Sequence, residues 1–444
     1  MANSKKIQSG IVFFGHFGAG NLGNEATFQA MLWNVRRLFP DADLTCISTF
    51  AENVASEYHV AAVPVSEVLV KPWNVGNPLL KLFRKAAVGI PSELYRWLRA
   101  VRTLRSAEVM IVVGTGLLTD SFCLGGWGPY SVFKWSVAAK LSGCQLCFVS
   151  TGAGPLDRPA GKFLIKSALR AADFRSYRDQ ATVDYLEGIG FRAASDPVFP
   201  DLAFSLPPFA QPQDQNRRGN RPVVGLGLME FGALYGVEKT TESQYKEYTN
   251  TLAGFVQYVV QREYDVRLLI GDLSDQSALE HFQSLLKERS VPEDRVTAEP
   301  ATSTENLLSQ IAATEFVVGT RFHNILLSLF LHKPTIAISF HHKCASLMSQ
   351  MGLTAYCQDI QRLSVEKLIE QFSQLEKNSA ELKEVIAARC ADFRRQLDEQ
   401  YRIIFKDWLP SNEPETKIED KRQTAVPAAP VRSLAPVASG QNNS

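Results

Sequence analysis

With 444 residues, 45% of them hydrophobic and 21% charged, the chain is long enough for two ordinary domains, each with its own core. A formal net charge of +1 gives no electrostatic reason to expect a nucleic-acid partner. No run reaches the roughly 18 apolar residues of a membrane-spanning helix, and the apolar stretch Ile11 to Phe14 is too short for a signal-peptide core, so a cytoplasmic protein is expected.

The first apolar run, Ile11-Val-Phe-Phe14, reads as a strand. A glycine-rich turn follows, then a helical pattern from about Glu25 to Leu38. Leu44 to Ser48, Val109 to Val113 and Leu146 to Val149 read as further strands, each ending in Gly or Ser before a helical stretch. Cys144 and Cys147 form a C-x-x-C beside the last of these. Without a second pair or a nearby His, reduced structural thiols are expected among the seven cysteines, and no metal site.

Between Leu79 and Arg105 seven Lys and Arg residues face one acid, Glu93, with Leu80, Leu82, Phe83, Leu94, Tyr95, Trp97, Leu98 and Leu104 interleaved. Such a stretch is suited to peripheral contact with an anionic membrane surface. A solvated helix face covering the sheet is the other reading.

Prolines and glycines among polar residues mark a linker at 206–220. The strand–helix alternation then restarts: Val223 to Gly227, a helix over Tyr245 to Gln261, Val266 to Ile270, Phe316 to Val318, a helix from His323, and Thr335 to Ile338. Apolar strands alternating with helices imply parallel sheets covered on both faces. The expected fold is therefore α/β, with Rossmann-like domains at 10–205 and 221–375 facing a central cleft. A C-terminal helical segment at 376–410 and a disordered tail at 411–444, rich in Pro, Ala, Ser and Asn, complete the chain.

Six polar clusters lie at or near the ends of these strands. Gly15 to Glu25 contains Gly18, Gly20 and Gly23 in G-x-G-x-x-G spacing. Asn21 interrupts it, and no acid for a ribose ends the second strand, Glu52 being nearest. It suits an anion at a helix start, or is a tight turn needing positive φ. Gly114-Thr115-Gly116 precedes Asp120, a hydroxyl acceptor or a helix cap. Ser150 to Pro155 is a third, Arg178-Asp179 a fourth and Asp196-Pro-Val-Phe199 a fifth; Arg178 and Asp179 also fit a plain ion pair. The fullest cluster is Gly319-Thr-Arg321-Phe-His323, a turn between strand and helix, followed by His341-His342-Lys343 after the next strand. Arg321 is suited to clamp a carboxylate or phosphate, and His323 to move a proton. A loop-capping Arg and a hydrogen-bonded core His are the alternatives.

In this order the motifs resemble those of the polysaccharide pyruvyl transferase family. The family loop G-x-x-G-x-x-N-x-G-D-E-A stands here as Gly15 to Ala26, with Gly18, Asn21, Gly23 and Glu25 matching and Asn24 in place of the acid. The G-G-G turn appears as Gly114-Thr115-Gly116. The Gly-Pro turn (Gly154-Pro155), the R-D pair, the D-P-V-F turn and a Lys before Leu347-Met348 follow. The hallmark G-M-R-L-H keeps its Gly319, Arg321 and His323.

The resemblance covers about residues 10–360. It implies two Rossmann-like domains arranged as in GT-B glycosyltransferases, no cofactor, and phosphoenolpyruvate as donor. It also implies pyruvate transferred as a ketal onto sugar hydroxyls of a cell-surface glycan or a lipid-linked precursor. The roles implied are His323 as acid, Arg321, Arg178, Lys343 and Gly319 for the donor, and Asp120 or Glu25 as base. Gly18, Asn21, Asn24, Gly114 and Gly116 would line the acceptor cleft. A nucleotide-sugar glycosyltransferase and a non-catalytic glycan-binding protein remain as alternatives.

Overall fold

The computed structural model describes residues 10–67, 85–120, 127–209, 221–230 and 242–406. The first domain runs β1 (Gly10–Gly15), α1 (Leu22–Leu38), β2 (Leu44–Ser48), α2 (Ala51–Tyr58), β3 (Ala61–Pro64), α3 (Ile90–Leu104) and β4 (Ala107–Val113). It continues with α4 (Gly128–Leu141), β5 (Gln145–Thr151), α5 (Pro159–Ala171), β6 (Phe174–Tyr177) and α6 (Gln180–Gly188). The second runs β7 (Val223–Leu228), α7 (Glu242–Gln261), β8 (Asp265–Ile270), α8 (Gln276–Glu288), β9 (Val296–Ala298), α9 (Thr304–Ala312), β10 (Phe316–Gly319), α10 (Phe322–Phe330), β11 (Thr335–Ser339), α11 (His342–Gln350) and β12 (Cys357–Asp359). Two helices, α12 (Val365–Lys377) and α13 (Ser379–Ile404), close the described chain.

The strands pair as β3-β2-β1-β4-β5-β6 and β12-β11-β10-β7-β8-β9, all parallel, so each domain repeats one doubly wound topology. The order reverses between β1 and β4 and between β7 and β10. Crevices for ligands open at the carboxyl ends of strands at such points.

Alternation along β1 sends Ile11 and Phe13 to one face and Val12 and Phe14 to the other, and all four are buried. The face holding Ile11 and Phe13 belongs to a core that continues through the second domain and α13. Each such buried Ile or Phe contributes roughly 1.5–3 kcal/mol of transfer free energy.

Helix α13 leaves the second domain and packs on the first. The Tyr401 hydroxyl lies 3.0 Å from Ser205 Oγ, and the Gln400 amide donates to Ser176 Oγ at 2.8 Å. The linker expected at 206–220 lies outside the described residues from 210 onward, as do the tail at 411–444 and the 79–84 part of the basic stretch. Among the described residues no helix is long and apolar enough to cross a membrane.

Candidate active site

The glycine-rich turn after β1 meets the loop after β8. Gly18 and Gly20 have φ of +75° and +80°, the left-handed region that the tight-turn reading required. Asn21 caps α1 by accepting from Asn24 N at 3.1 Å, and its amide donates to Asp272 Oδ2 at 2.8 Å across the cleft. Leu22 N donates to Gly271 O and Leu273 N to Gly20 O. Leu22 N and Asn24 N at the start of α1 are thus satisfied by the protein. Asn24, standing where the family pattern has an acid, donates its amide to His16 O, which a carboxylate could not do.

Glu25 accepts from Gly18 N and from the Tyr58 hydroxyl, each at 2.7 Å. It is buried, and desolvation lifts its carboxyl to about 7 against the opposing hydrogen bonds. It braces the turn from beneath. The raised carboxyl has a consequence for stability. Its contribution is full below the unfolded value of 4.5 and is lost as pH rises through about 7. Glu25→Gln is therefore expected to gain stability on the alkaline side, by about 2 kcal/mol at pH 8 relative to pH 5. Urea unfolding at the two pH values measures it.

The catalytic candidates gather at α10, and glycines make room for them. A Cβ on Gly23 would lie 1.8 Å from both Cγ and Nδ1 of His323, so the imidazole of the second domain rests directly on α1 of the first. A Cβ on Gly152 would lie 2.7 Å from Arg178 Nη2. The Phe322 ring, which replaces a family Leu, has the Arg178 guanidinium 5.0 Å and the Lys343 ammonium 5.4 Å from its centroid. Both cations are thereby held beside the first turn of α10.

No side chain caps α10, and the amides of Phe322, His323 and Asn324 have no protein partner among the described residues. Arg178 Nη1 donates to Asp201 Oδ2 at 3.3 Å, and Nε lies 3.6 Å from Asp179 Oδ2, the ion pair that the sequence also allowed. Nε remains buried without a hydrogen-bond partner. Lys343 has no ion pair among the described residues. Uncapped amides and crowded cations make this a place for an anion.

Electrostatics follow the crowding. Burial, then Lys343, Arg178 and Arg321, hold the His323 imidazole well below its usual 6.5. Burial and Arg178 bring the Lys343 ammonium down to about 8. Burial and Lys343 take His341 down to about 3. His323 is thus neutral at pH 7 until negative charge arrives beside it.

Three of the expected site residues are engaged within the protein. Arg321 is buried, and its Nε and Nη2 donate to Asp275 at 2.7 and 2.5 Å, so its planar fork is closed by a carboxylate of its own domain. Asp275→Ala would strand that guanidinium in the interior. A loss of about 3–5 kcal/mol is expected in chemical denaturation. Asp120 Oδ2 accepts from Asp157 N at 2.7 Å and Arg158 N at 3.0 Å in the turn before α5, while its Oδ1 is buried without a hydrogen-bond partner. Gly319 lies under Ile325, 3.0 Å from a virtual Cβ, so it serves close strand–helix packing more than backbone approach by a ligand. Gly114 likewise packs on Ser150 O, whereas Gly116 faces open space.

Sequence reasoning did not assign His16, Asp272, Asp275 or Asp201. The Gly271-Asp-Leu-Ser-Asp275 run after β8 carried the same strand-end signature as the clusters that were chosen. Among the described residues no group of three or more His, Cys, Asp or Glu side chains is placed to hold a metal ion.

The model of the family described as polysaccharide pyruvyl transferase matches residues 21–342, which include Asn21, Arg178, Arg321 and His323. The chain belongs to the polysaccharide pyruvyl transferase family. The chain is therefore a polysaccharide-modifying transferase. The amylovoran biosynthesis protein AmsJ of Erwinia amylovora is 29% identical over 417 residues, covering 85% of this chain and 94% of its own. Among solved structures, Anabaena HepE in complex with UDP is similar in fold, with a TM-score of 0.57 at 12% identity over 89% of this chain and 99% of that one. A glycosyltransferase from Rickettsia africae gives 0.53 at 11% identity over 92% and 100%. At those identities the likeness concerns the fold, and it gives this pyruvyl transferase a GT-B-like frame.

Proposed function

We propose that the protein moves pyruvate from phosphoenolpyruvate onto two hydroxyls of a sugar, as a ketal, in a cell-surface polysaccharide or its lipid-linked precursor. One observation carries this reading. Uncapped α10 amides, the Arg178 guanidinium and the Lys343 ammonium, which has no ion pair among the described residues, stand around the His323 imidazole, which is the environment a small polyanion with a protonatable carbon needs.

The donor's carboxylate and phosphate fall to Arg178, Lys343 and the α10 amides. Arg321, held by Asp275, contributes positive potential and sets the turn. Burial and then the neighbouring cations keep His323 neutral; negative charge on the donor offsets the cations, so His323 takes up a proton as the donor binds. That proton passes to the donor methylene carbon and makes C2 electrophilic. One sugar hydroxyl adds to C2 and its proton returns to His323. A second then displaces phosphate, its proton leaving with the phosphate, whose charge Lys343 offsets. The crevice lined by Arg178, Asp201, Phe322, Lys343 and Ser346 has a free volume of about 10 Å³, room for a single water, so donor entry requires its walls to part. This reading places catalysis at the cytoplasmic face of a membrane, where donor and lipid-linked acceptor meet.

The test is calorimetric titration with phosphoenolpyruvate in two buffers of different ionisation enthalpy. Saturable binding with proton uptake, abolished in Arg178→Ala, is expected. Stabilisation by UDP and none by phosphoenolpyruvate would instead favour a nucleotide-sugar transferase. Sugar binding without phosphate release would favour a glycan-binding protein.

A further inference from the structure

Helix α3 turns an apolar face to solvent. Ile90, Leu94 and Leu98 recur at i, i+4 and i+8 and are 68%, 60% and 51% exposed. Pro91 and Tyr95 widen the same side. The buried side is made by Ala100 and Leu104. Fifteen residues give the helix a length of about 22 Å.

Charge on α3 is sorted as sharply as polarity. Glu93, its one acid, accepts from Arg96 Nη1 and the Tyr130 hydroxyl, each at 2.7 Å, and lies 3.4 Å from Lys134 Nζ. Arg96 and Arg99 reach Glu67, through its backbone carbonyl and its carboxylate respectively. These groups are directed to neighbouring elements. What remains exposed past Leu98 is Arg102, then Arg105 at the C-terminal cap. The outward face thus carries apolar residues and two unpaired arginines, and no acid among the described residues.

Beside it, Trp127 is 64% exposed, with its ring 5.9 Å from that of Tyr130. The Tyr130 hydroxyl in turn accepts from Trp97 Nε1 of α3 at 2.9 Å. An exposed Trp tied to the flank of an apolar and basic helix is the composition of an interfacial anchor.

We propose that the outward face of α3, with Trp127 at its side, docks on an anionic phospholipid bilayer. Ile90, Leu94 and Leu98 enter the headgroup–acyl boundary while Arg102 and Arg105 meet lipid phosphates. Charge complementarity selects this occupant. A second copy of the chain would offer the same face, which among the described residues has no acid to receive the two arginines. The inference concerns a surface on the first domain and does not depend on the donor assigned above.

Flotation of the full chain with vesicles tests it, using phosphatidylcholine alone or with about one third phosphatidylglycerol. The wild type is expected to float with the anionic vesicles and to bind neutral ones at least tenfold more weakly. Leu94→Glu/Leu98→Glu and, separately, Arg102→Glu/Arg105→Glu are each expected to lower anionic binding tenfold or more. Circular dichroism and calorimetric binding of phosphoenolpyruvate should stay at wild-type level, so failure of this surface and failure of the donor assignment are read separately. Wild-type protein that stays with neither vesicle, variants that float as well as the wild type, or a dimer dissociated by Leu94→Glu/Leu98→Glu without vesicle binding would each overturn it.

Discussion

Gly23→Ala is expected to reduce turnover about as much as removing His323 itself, by roughly 10²-fold or more. Intrinsic propensity argues the other way: inside a helix, alanine is favoured over glycine by about 1 kcal/mol. Here the new methyl would lie 1.8 Å from two ring atoms of His323, a separation that non-bonded atoms do not adopt. Since α1 is fixed by the Asn21 cap and by Leu22 N on Gly271 O, the imidazole has to yield, leaving the uncapped start of α10. Proton delivery to carbon tolerates little misplacement, and an error of an ångström is enough for a hundredfold loss. Phosphate release under saturating donor and acceptor compares Gly23→Ala, His323→Ala and wild type, with melting temperatures recorded alongside. His323→Ala should melt within a few degrees of wild type. A Gly23→Ala enzyme with undiminished turnover would show that the ring is not held for catalysis. A His323→Ala protein that turns over but melts far lower would mark His323 as a packing residue.

The second large effect is expected at the two cations that flank Phe322. Arg178→Lys should raise the KM for phosphoenolpyruvate by about 10–10²-fold, because a point charge cannot reproduce the planar fork. Charge-assisted hydrogen bonds are worth roughly 1.5–3 kcal/mol each. Lys343→Gln should raise it by about tenfold and change the pH profile as well. In the free protein Lys343 titrates near 8, and only its protonated form attracts the donor, so affinity falls as pH rises through that value. The glutamine variant removes the titrating charge and should flatten that alkaline limb, leaving the acidic side unchanged. A profile that keeps its slope near pH 8 in Lys343→Gln would assign the limb to another group. Both variants keep the Phe322 platform, so a collapse in melting temperature is not expected.

Legibility differed between fold and site for a physical reason. Buried parallel strands must be apolar on both faces, so β1, β2, β4, β5, β7, β8, β10 and β11 stand out as apolar runs near the places where they occur. The edge strands did not. Ala61–Pro64 includes a proline, Phe174–Tyr177 reads F-R-S-Y, and Cys357–Asp359 is three residues long, because an edge strand has one neighbour and tolerates polar residues. Phe174–Tyr177 carries no apolar run, although it is the strand that delivers Arg178 to the cleft.

At the site, the residue types and their order along the chain were determined by the sequence alone: glycines where turns or close contacts need them, Arg and His at the start of α10, Lys343 past the next strand. Which of them face a ligand was decided by tertiary structure. Arg321 is matched by Asp275, 46 residues away, and Asn21 by Asp272, 251 residues away. A side chain that finds such a partner within the protein is withdrawn from other chemistry, and no local pattern records the partner. The protonation of His323 has the same origin. Its ionisation is set first by burial and then by Lys343 and Arg178, brought to it from both domains, with Arg321 adding the local part.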